Sequence, residues 1–540
     1  MAGNARGTSH AACCTFTWML NSERLQVIAL TVVVLLVGCK GDKIAKLRPL
    51  IVVSPGDALT LDPAEATDSE SMQIITKIYE PLVRYKDNSS EVEGALATKW
   101  TVDKSGTIWT FKLRKRVRFH DGSPFNADAV VFTFERQRNR KHAYHSMDFP
   151  YWENTFRNIV ATKKVDAHTV SITIKKPFAP FLANLAMFPV SIVSPTAVKK
   201  HSKNFRNHPV GTGPYRLLRW NKGSLIALAH NKRYWGGKPH VERLVFKVVP
   251  DASDRLSSLL SGTASVVHGL SPQDRQIVQL HPELSVHRTT GNNISYLALN
   301  TSRAPFNNLR VRQAVNHAVN KAALVKLIYQ GLALPARGPI PPSMWGYRRD
   351  ITDYKFDPQR ARKLLRESGH QGNVPLRLYT SSTPRPYMPS PVLAAKMIAN
   401  NLMDIGLDIE IVIKPLAEHF RAIRKGEHDL CLLGWVGDNG DPDNFLYVLL
   451  DSDNATFGTA QNVAFFRHQG VHDLLAKAQT ESRRKNRVQI YTRVQSVIAD
   501  QAPWVPLAHT QVVVAASKRV KGLQIQPSHE IRYRRVRVKD

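Results

Sequence analysis

Between Leu376 and Trp435 the chain carries three short apolar runs with one helical stretch among them, and that order constrains the fold more than any other feature. Leu376–Thr380 and Ile409–Ile413 have strand length, Val392–Ile405 spaces its apolar residues for a helix, and Asp429–Trp435 is apolar on both faces. A strand buried on both faces belongs inside a sheet covered by helices, so this stretch predicts a β-α-β-like unit of an α/β lobe. The alternation continues elsewhere without any internal repeat. Leu50–Ser54 predicts a buried strand, Ser71–Tyr85 a helix, Thr107–Val117 a half-buried strand, Ala127–Gln137 a helix capped by Asn126, and Lys164–Lys175 a single strand ended by Pro177 before a helix near Phe181. Arg216–Trp220, Leu225–His230 and Val241–Val249 predict a meander. Asp251–Gly262 predicts a short helix, Tyr296–Asn300 a strand, Val311–Gln330 one long helix, and Phe356–Ser368 a helix opened by Asp357-Pro358.

At 540 residues, with ~150 residues as a soft prior per domain, the chain has room for three or four folding units. It carries 75 Lys plus Arg against 43 Asp plus Glu, a net charge of +32. That excess attracts nucleic acid, anionic lipid or acidic partners alike, and charge alone does not choose among them. The basic run Lys112, Arg114, Lys115 and Arg116 sits on the exposed edge of an expected strand and is read as a solvated face. Four cysteines at 13, 14, 39 and 431 form no CxxC pair, which excludes a zinc ribbon, an iron–sulfur site and a disulfide scaffold.

The longest apolar run, Leu25–Leu36, is too short for a confident membrane span and follows Arg24, the pattern of a signal-peptide core. Leu36-Val37-Gly38-Cys39 resembles the bacterial lipobox, in which a cysteine is acylated and becomes the mature N-terminus. Residues 1–38 are therefore expected to be removed and Cys39 to carry lipid. Reading from Met19 gives a conventional n-region. The remaining thiol, Cys431, lies in an apolar run and is expected in the core.

Signatures of catalysis are missing: there is no GxSxG, no HExxH, no GxxxxGK[ST] and no complete GxGxxG, and the 20 histidines do not cluster at metal-ligand spacing. The densest chemistry is Gly434–Phe445, GWVGDNGDPDNF. Its acids do not fit an EF-hand, which needs Gly at the sixth loop position and Glu at the twelfth. Asp441-Pro442 is read as an N-cap with Pro at the first helical position, a structural device. Asp438 follows a Gly directly after a buried strand, at the sheet edge where open α/β folds place ligands.

Taken with FHDGSPFNAD at 119–128, VGTGPY at 210–215, RQAV at 312–315, AVNK at 318–321, IPPSMWGY at 340–347 and RPY at 385–387, the segment Leu432–Leu446 resembles the family-5 extracellular solute-binding proteins of bacteria, closest to the dipeptide-binding members of ABC importers. The resemblance covers essentially the whole exported chain. It implies an α/β clamshell of the type II periplasmic-binding-protein kind, two lobes with a hinge plus an additional domain. The expected limits are 39–62, 213–290 and 509–540 for lobe I, 63–212 for the additional domain, and 291–508 for lobe II.

By the same resemblance, Asp438 is expected to hold a peptide ammonium and Arg385 a peptide carboxylate, with Tyr387, Tyr151 and Trp435 lining the pocket. Expected partners are a short peptide and inner-membrane ABC permease subunits, with a monomeric, lipid-anchored periplasmic protein and no nucleic acid, cofactor or metal. Haem-binding and antimicrobial-peptide-binding members of the family supply the alternative cargo, and a secreted peptidase is the alternative from another class. Departures from the dipeptide-binding pattern are the lack of paired cysteines and Leu416 where that pattern has an aromatic.

Overall fold

The computed structural model describes residues 49–146, 149–351, 353–370 and 374–539, so the expected signal segment and Cys39 lie outside the described residues. Twelve strands join one hydrogen-bonded sheet. At one end, Leu50–Ser54 pairs in parallel with Arg243–Val248 and Val266–His268, and Arg243–Val248, Leu225–His230 and Tyr215–Asn221 form the expected antiparallel meander. At the other end, Leu376–Ser381 lies parallel to both Ile409–Lys414 and Leu430–Val436, and the latter runs antiparallel to Asn293–Leu299. The β-α-β stretch is thus present, its helix spanning Pro391–Met403.

The two ends share one strand. Trp504–Ser517 pairs through residues 504–508 with Asn293–Leu299, and through residues 511–517 with Leu284–Thr290. At the changeover the ladder is patched by a side chain. Asn293 donates from Nδ2 to the Thr510 carbonyl at 3.0 Å and accepts the Thr510 N–H on Oδ1 at 2.7 Å, while Gly291 N–H also donates to Thr510 O at 3.0 Å. A Cβ at Gly291 would overlap the Asn293 amide, so glycine is required by close approach.

A third body is a four-stranded antiparallel sheet in the order Ala97–Val102, Ile108–Leu113, Thr169–Ile174, Ile159–Asp166, packed with the helix Ala127–Arg138 around Phe111, Phe125, Phe134 and Phe156. Asn126 caps that helix as expected, accepting from Ala129 N–H at 3.2 Å. Cys431 is fully buried in the core behind the Leu430–Val436 strand.

Four expectations are corrected by local chemistry. The helix expected over Ser71–Tyr85 is Ser69–Ile78, because Pro81 biases Glu80 toward extended backbone and the buried Glu80 carboxylate is held by Thr212, Tyr234 and Trp235. The single strand expected over Lys164–Lys175 is a hairpin, since Asp166 accepts from His168 N–H and the Thr169 hydroxyl and turns the chain. The long helix expected over Val311–Gln330 breaks after Ala318, where extended Val319 precedes Asn320 and the Asn320 side chain caps a new turn at Ala323. Arg114 is not simply solvated: its guanidinium lies 3.8 Å from the centre of the Trp235 ring and donates to Ala95 O at 3.1 Å.

Candidate functional site

The strand Leu430–Val436 ends at the glycine of Gly437-Asp438, and the backbone there is held in both directions. Gly437 N–H donates to Asn292 O at 2.7 Å, and Asp438 N–H donates to Asn444 Oδ1 at 3.0 Å. Asn444 also accepts from Trp435 Nε1 at 2.9 Å, so one amide oxygen fixes both Trp435 and Asp438. Trp435 is therefore tied into the wall of the loop by its indole N–H.

Asp438 is half-buried, and burial raises its carboxyl above the ordinary aspartate value, opposed by the hydrogen bonds of Tyr151 and Asn444. Tyr151 reaches it from the third body, its hydroxyl donating to Asp438 Oδ1 at 3.1 Å. The rest of the loop is clamped to that same body. Gly440 N–H donates to the Tyr85 hydroxyl at 2.9 Å, and Asn439 Nδ2 donates to Asn184 Oδ1 at 2.6 Å.

Arg385 sits on a short bridge in which Arg385 and Met388 exchange backbone hydrogen bonds at 3.0 and 2.9 Å. Tyr387, 5% exposed, lies flat against Gly434 of the central strand, where any Cβ would overlap its ring. Glycine at 434 is thus what lets the Arg385 loop reach the strand that ends at Asp438. Tyr329 anchors the loop further by donating to the Tyr387 carbonyl at 2.9 Å. The Arg385 guanidinium carbon is 6.0 Å from the Tyr387 ring centre, and its Nε is buried without a hydrogen-bond partner. Among the described residues neither Asp438 nor Arg385 has an ion-pair partner.

Between the lobes the same loop borders a cavity of about 550 Å³, walled by Ile226, Phe246 and Val514 on one side and Ile328, Leu332 and Pro386 on the other. His268 and His529 line it, and burial drives both imidazoles down to about 4, so they are neutral at physiological pH.

The other acids of the loop do different work. Asp441 is gripped by Arg487 at 2.7 and 2.6 Å in a bidentate pair that is almost wholly buried, and it also accepts from Asp443 N–H. The helix itself is Asp443–Leu450, with Pro442 rather than Asp441 at the cap position, so the expected cap is corrected to an ion pair beside the helix start. Asp451, Asp453 and His472 bring ligand atoms within 4.8 Å of one another, but His472 is engaged by Asp451 at 3.0 Å and Tyr447 donates to Asp453 at 2.8 Å. These groups satisfy each other, and no metal is assigned to them. Tyr85, Asn184 and Arg487 escaped the sequence reading because nothing in their local pattern points to a loop hundreds or dozens of residues away.

Residues 91–457 match the family described as bacterial extracellular solute-binding proteins, family 5 Middle. The chain is 36% identical over 466 residues to the dipeptide-binding protein of Escherichia coli (strain K12), covering 83% of this chain and 87% of that protein. It is 35% identical over 467 residues to the heme-binding protein A of Haemophilus influenzae, covering 84% and 85%. The solved structure of HbpA2 from Haemophilus parasuis superposes with a TM-score of 0.87 at 30% identity, covering 91% of this chain and all of that one. The two-lobed α/β architecture, the loop at Asp438 and the matches across nearly the whole described chain lead to one assignment: this chain belongs to the family-5 bacterial extracellular solute-binding proteins.

Proposed function

We propose that the protein captures short peptides, dipeptides foremost, between its two lobes and delivers them to an inner-membrane ABC permease. The observation that carries this reading is a pair of uncompensated charges. Asp438 and Arg385 are half-buried, lie on two elements joined by the Tyr387–Gly434 contact, and lack ion-pair partners among the described residues. A free dipeptide supplies both missing charges, an ammonium and a carboxylate about 6 to 7 Å apart at ~3.5 Å per residue. Tyr151 and Asn444 orient the Asp438 end, and Tyr387 backs the Arg385 end. The reading makes and breaks no covalent bond, in keeping with the solute-binding family.

The test uses blocked ligands in calorimetry. Asp438→Asn and Arg385→Met are each expected to weaken dipeptide binding by ~2–5 kcal/mol, roughly 30- to several-thousand-fold, because each leaves a ligand charge buried and unpaired. N-acetylation should weaken binding to the wild type yet matter little to Asp438→Asn, and C-terminal amidation should behave likewise with Arg385→Met. Equal binding of free and acetylated dipeptides by the wild type would overturn the terminus-reading mechanism.

A second reading, haem as cargo, is favoured by the apolar 550 Å³ cavity with its two neutral imidazoles. Addition of hemin decides it. A Soret shift lost on replacing His268 or His529 supports haem, and an unperturbed spectrum removes it.

We also propose that the protein works in the periplasm, tethered by an acylated Cys39. Cys39→Ser is expected to leave it unprocessed or released from the membrane fraction, and unchanged processing with unchanged fractionation would refute the anchor. Among the described residues no helix is long and apolar enough to cross a membrane.

A further inference from the structure

On the outer edge of the sheet, far from Asp438 in the strand order, the meander closes a second pocket. Register sets Arg216 and Arg243 on either side of Ala229, so two arginine stems rise from one row of the sheet around a side chain too short to separate them. Arg118 and His120, from the turn before the helix Ala127–Arg138, and Lys232-Arg233, just after the strand Leu225–His230, complete a cavity of about 530 Å³.

Five cations line this pocket, and its one carboxylate, Glu242, is already paired with Lys238 at 3.0 Å. None of the five makes a salt bridge among the described residues. Asp121, next to His120, does not line the pocket and is engaged by the Ser123 and Ser194 hydroxyls at 2.5 and 2.6 Å. His120 is satisfied by Gly213 O and Gly211 N–H. His230, only 6% exposed, pairs with the buried Tyr215, and strand alternation turns its ring to the sheet face opposite Ala229 and the two arginines.

Like charges gathered round one cavity repel one another, and a bound anion offsets that repulsion. One carboxylate would leave most of the positive charge unanswered, whereas the planar fork of arginine matches the several oxygens of a phosphate group. The pocket falls in the size range of small-molecule sites and has room for more than a single phosphate.

We propose that this pocket binds a phosphate-bearing anion of two or more negative charges, held between Arg216 and Arg243 with Arg118 closing on it. This site is independent of the peptide reading. A free polyphosphate and a clustered anionic lipid headgroup present the same chemistry, and the experiment separates them.

The full chain and its Arg216→Gln/Arg243→Gln variant are titrated with inorganic pyrophosphate at constant ionic strength, and floated with vesicles of phosphatidylglycerol or phosphatidylcholine. Both arginines are exposed, so the variant is expected to fold and to bind dipeptide as the wild type does. Saturable pyrophosphate binding that falls at least about tenfold in the variant supports a free anion as ligand. Selective flotation with phosphatidylglycerol that the variant loses, without pyrophosphate binding, supports the headgroup. Wild type and variant behaving alike in both arms would overturn the proposal, and Arg118→Gln, tested alongside, should show a smaller loss in whichever arm responds.

Discussion

Asp443 is buried beside Asp441, and its Oδ1 has no hydrogen-bond partner while Oδ2 accepts from Gln479. Burial first, then the neighbouring Asp441 charge, push its carboxyl from 3.8 up to about 7, with Arg487 pulling the other way. The folded protein thus holds a proton that the unfolded chain releases between those two values, so this residue's contribution to stability falls as pH rises from about 4 to about 7. Asp443→Asn is expected to change stability little near pH 4 and to stabilise progressively more as pH rises, by up to about 4 kcal/mol at pH 8, with the melting temperature rising accordingly. Equal effects at the two pH values would refute a protonated Asp443. Residue roles were unevenly legible in the sequence. Asp438 announced itself because a glycine, a strand end and an acid are local signals. Arg487 did not, because its partner Asp441 lies 46 residues earlier and only the packed helix Arg484–Gln501 brings them together.

Among the elements, strands and capped helices were the readable part, because β-branched alternation and Asx-Pro starts are written in adjacent residues. Asp357 accepts from Arg360 N–H and opens the helix Pro358–Glu367 as its sequence suggests. Breaks are less legible, since the turn at Asp166 and the stop at Val319 depend on one or two side-chain hydrogen bonds inside otherwise regular patterns. The changeover in the long strand was not legible at all, as Asn293 looks like an ordinary polar residue before a strand. Its amide bonds both backbone groups of Thr510, and Asn293→Ala would leave the buried Thr510 N–H without that partner and its carbonyl with Gly291 N–H. That loss is expected to cost ~1–3 kcal/mol. Denaturant unfolding with an unchanged midpoint would show that solvent repairs the gap.

At the scale of the molecule, the lobes share Trp504–Ser517, and the third body reaches across to the Asp438 loop through Tyr151, Tyr85 and Asn184. Neither lobe can lose its sheet without disturbing a strand of the other, so heating is expected to unfold them together. Calorimetry should give one transition with matching calorimetric and van't Hoff enthalpies. Saturating peptide at 100 times its Kd should raise the stability by about 2.7 kcal/mol, again as one transition. Two resolved peaks would mean that the shared strand does not couple the lobes. This level of organisation was visible in the sequence only through family resemblance, because no local pattern tells a strand that it will serve two sheets.

That shared strand also sets an order of events. Every other strand of the twelve-stranded sheet precedes residue 504 in the chain, so both half-sheets wait for the same late segment before either is complete. A polypeptide threaded through a membrane from its N-terminus would keep its central groove unfilled until almost all of it had crossed. The third body, built from residues before 200, needs nothing from that segment, so what the topology defers is the completion of the two half-sheets.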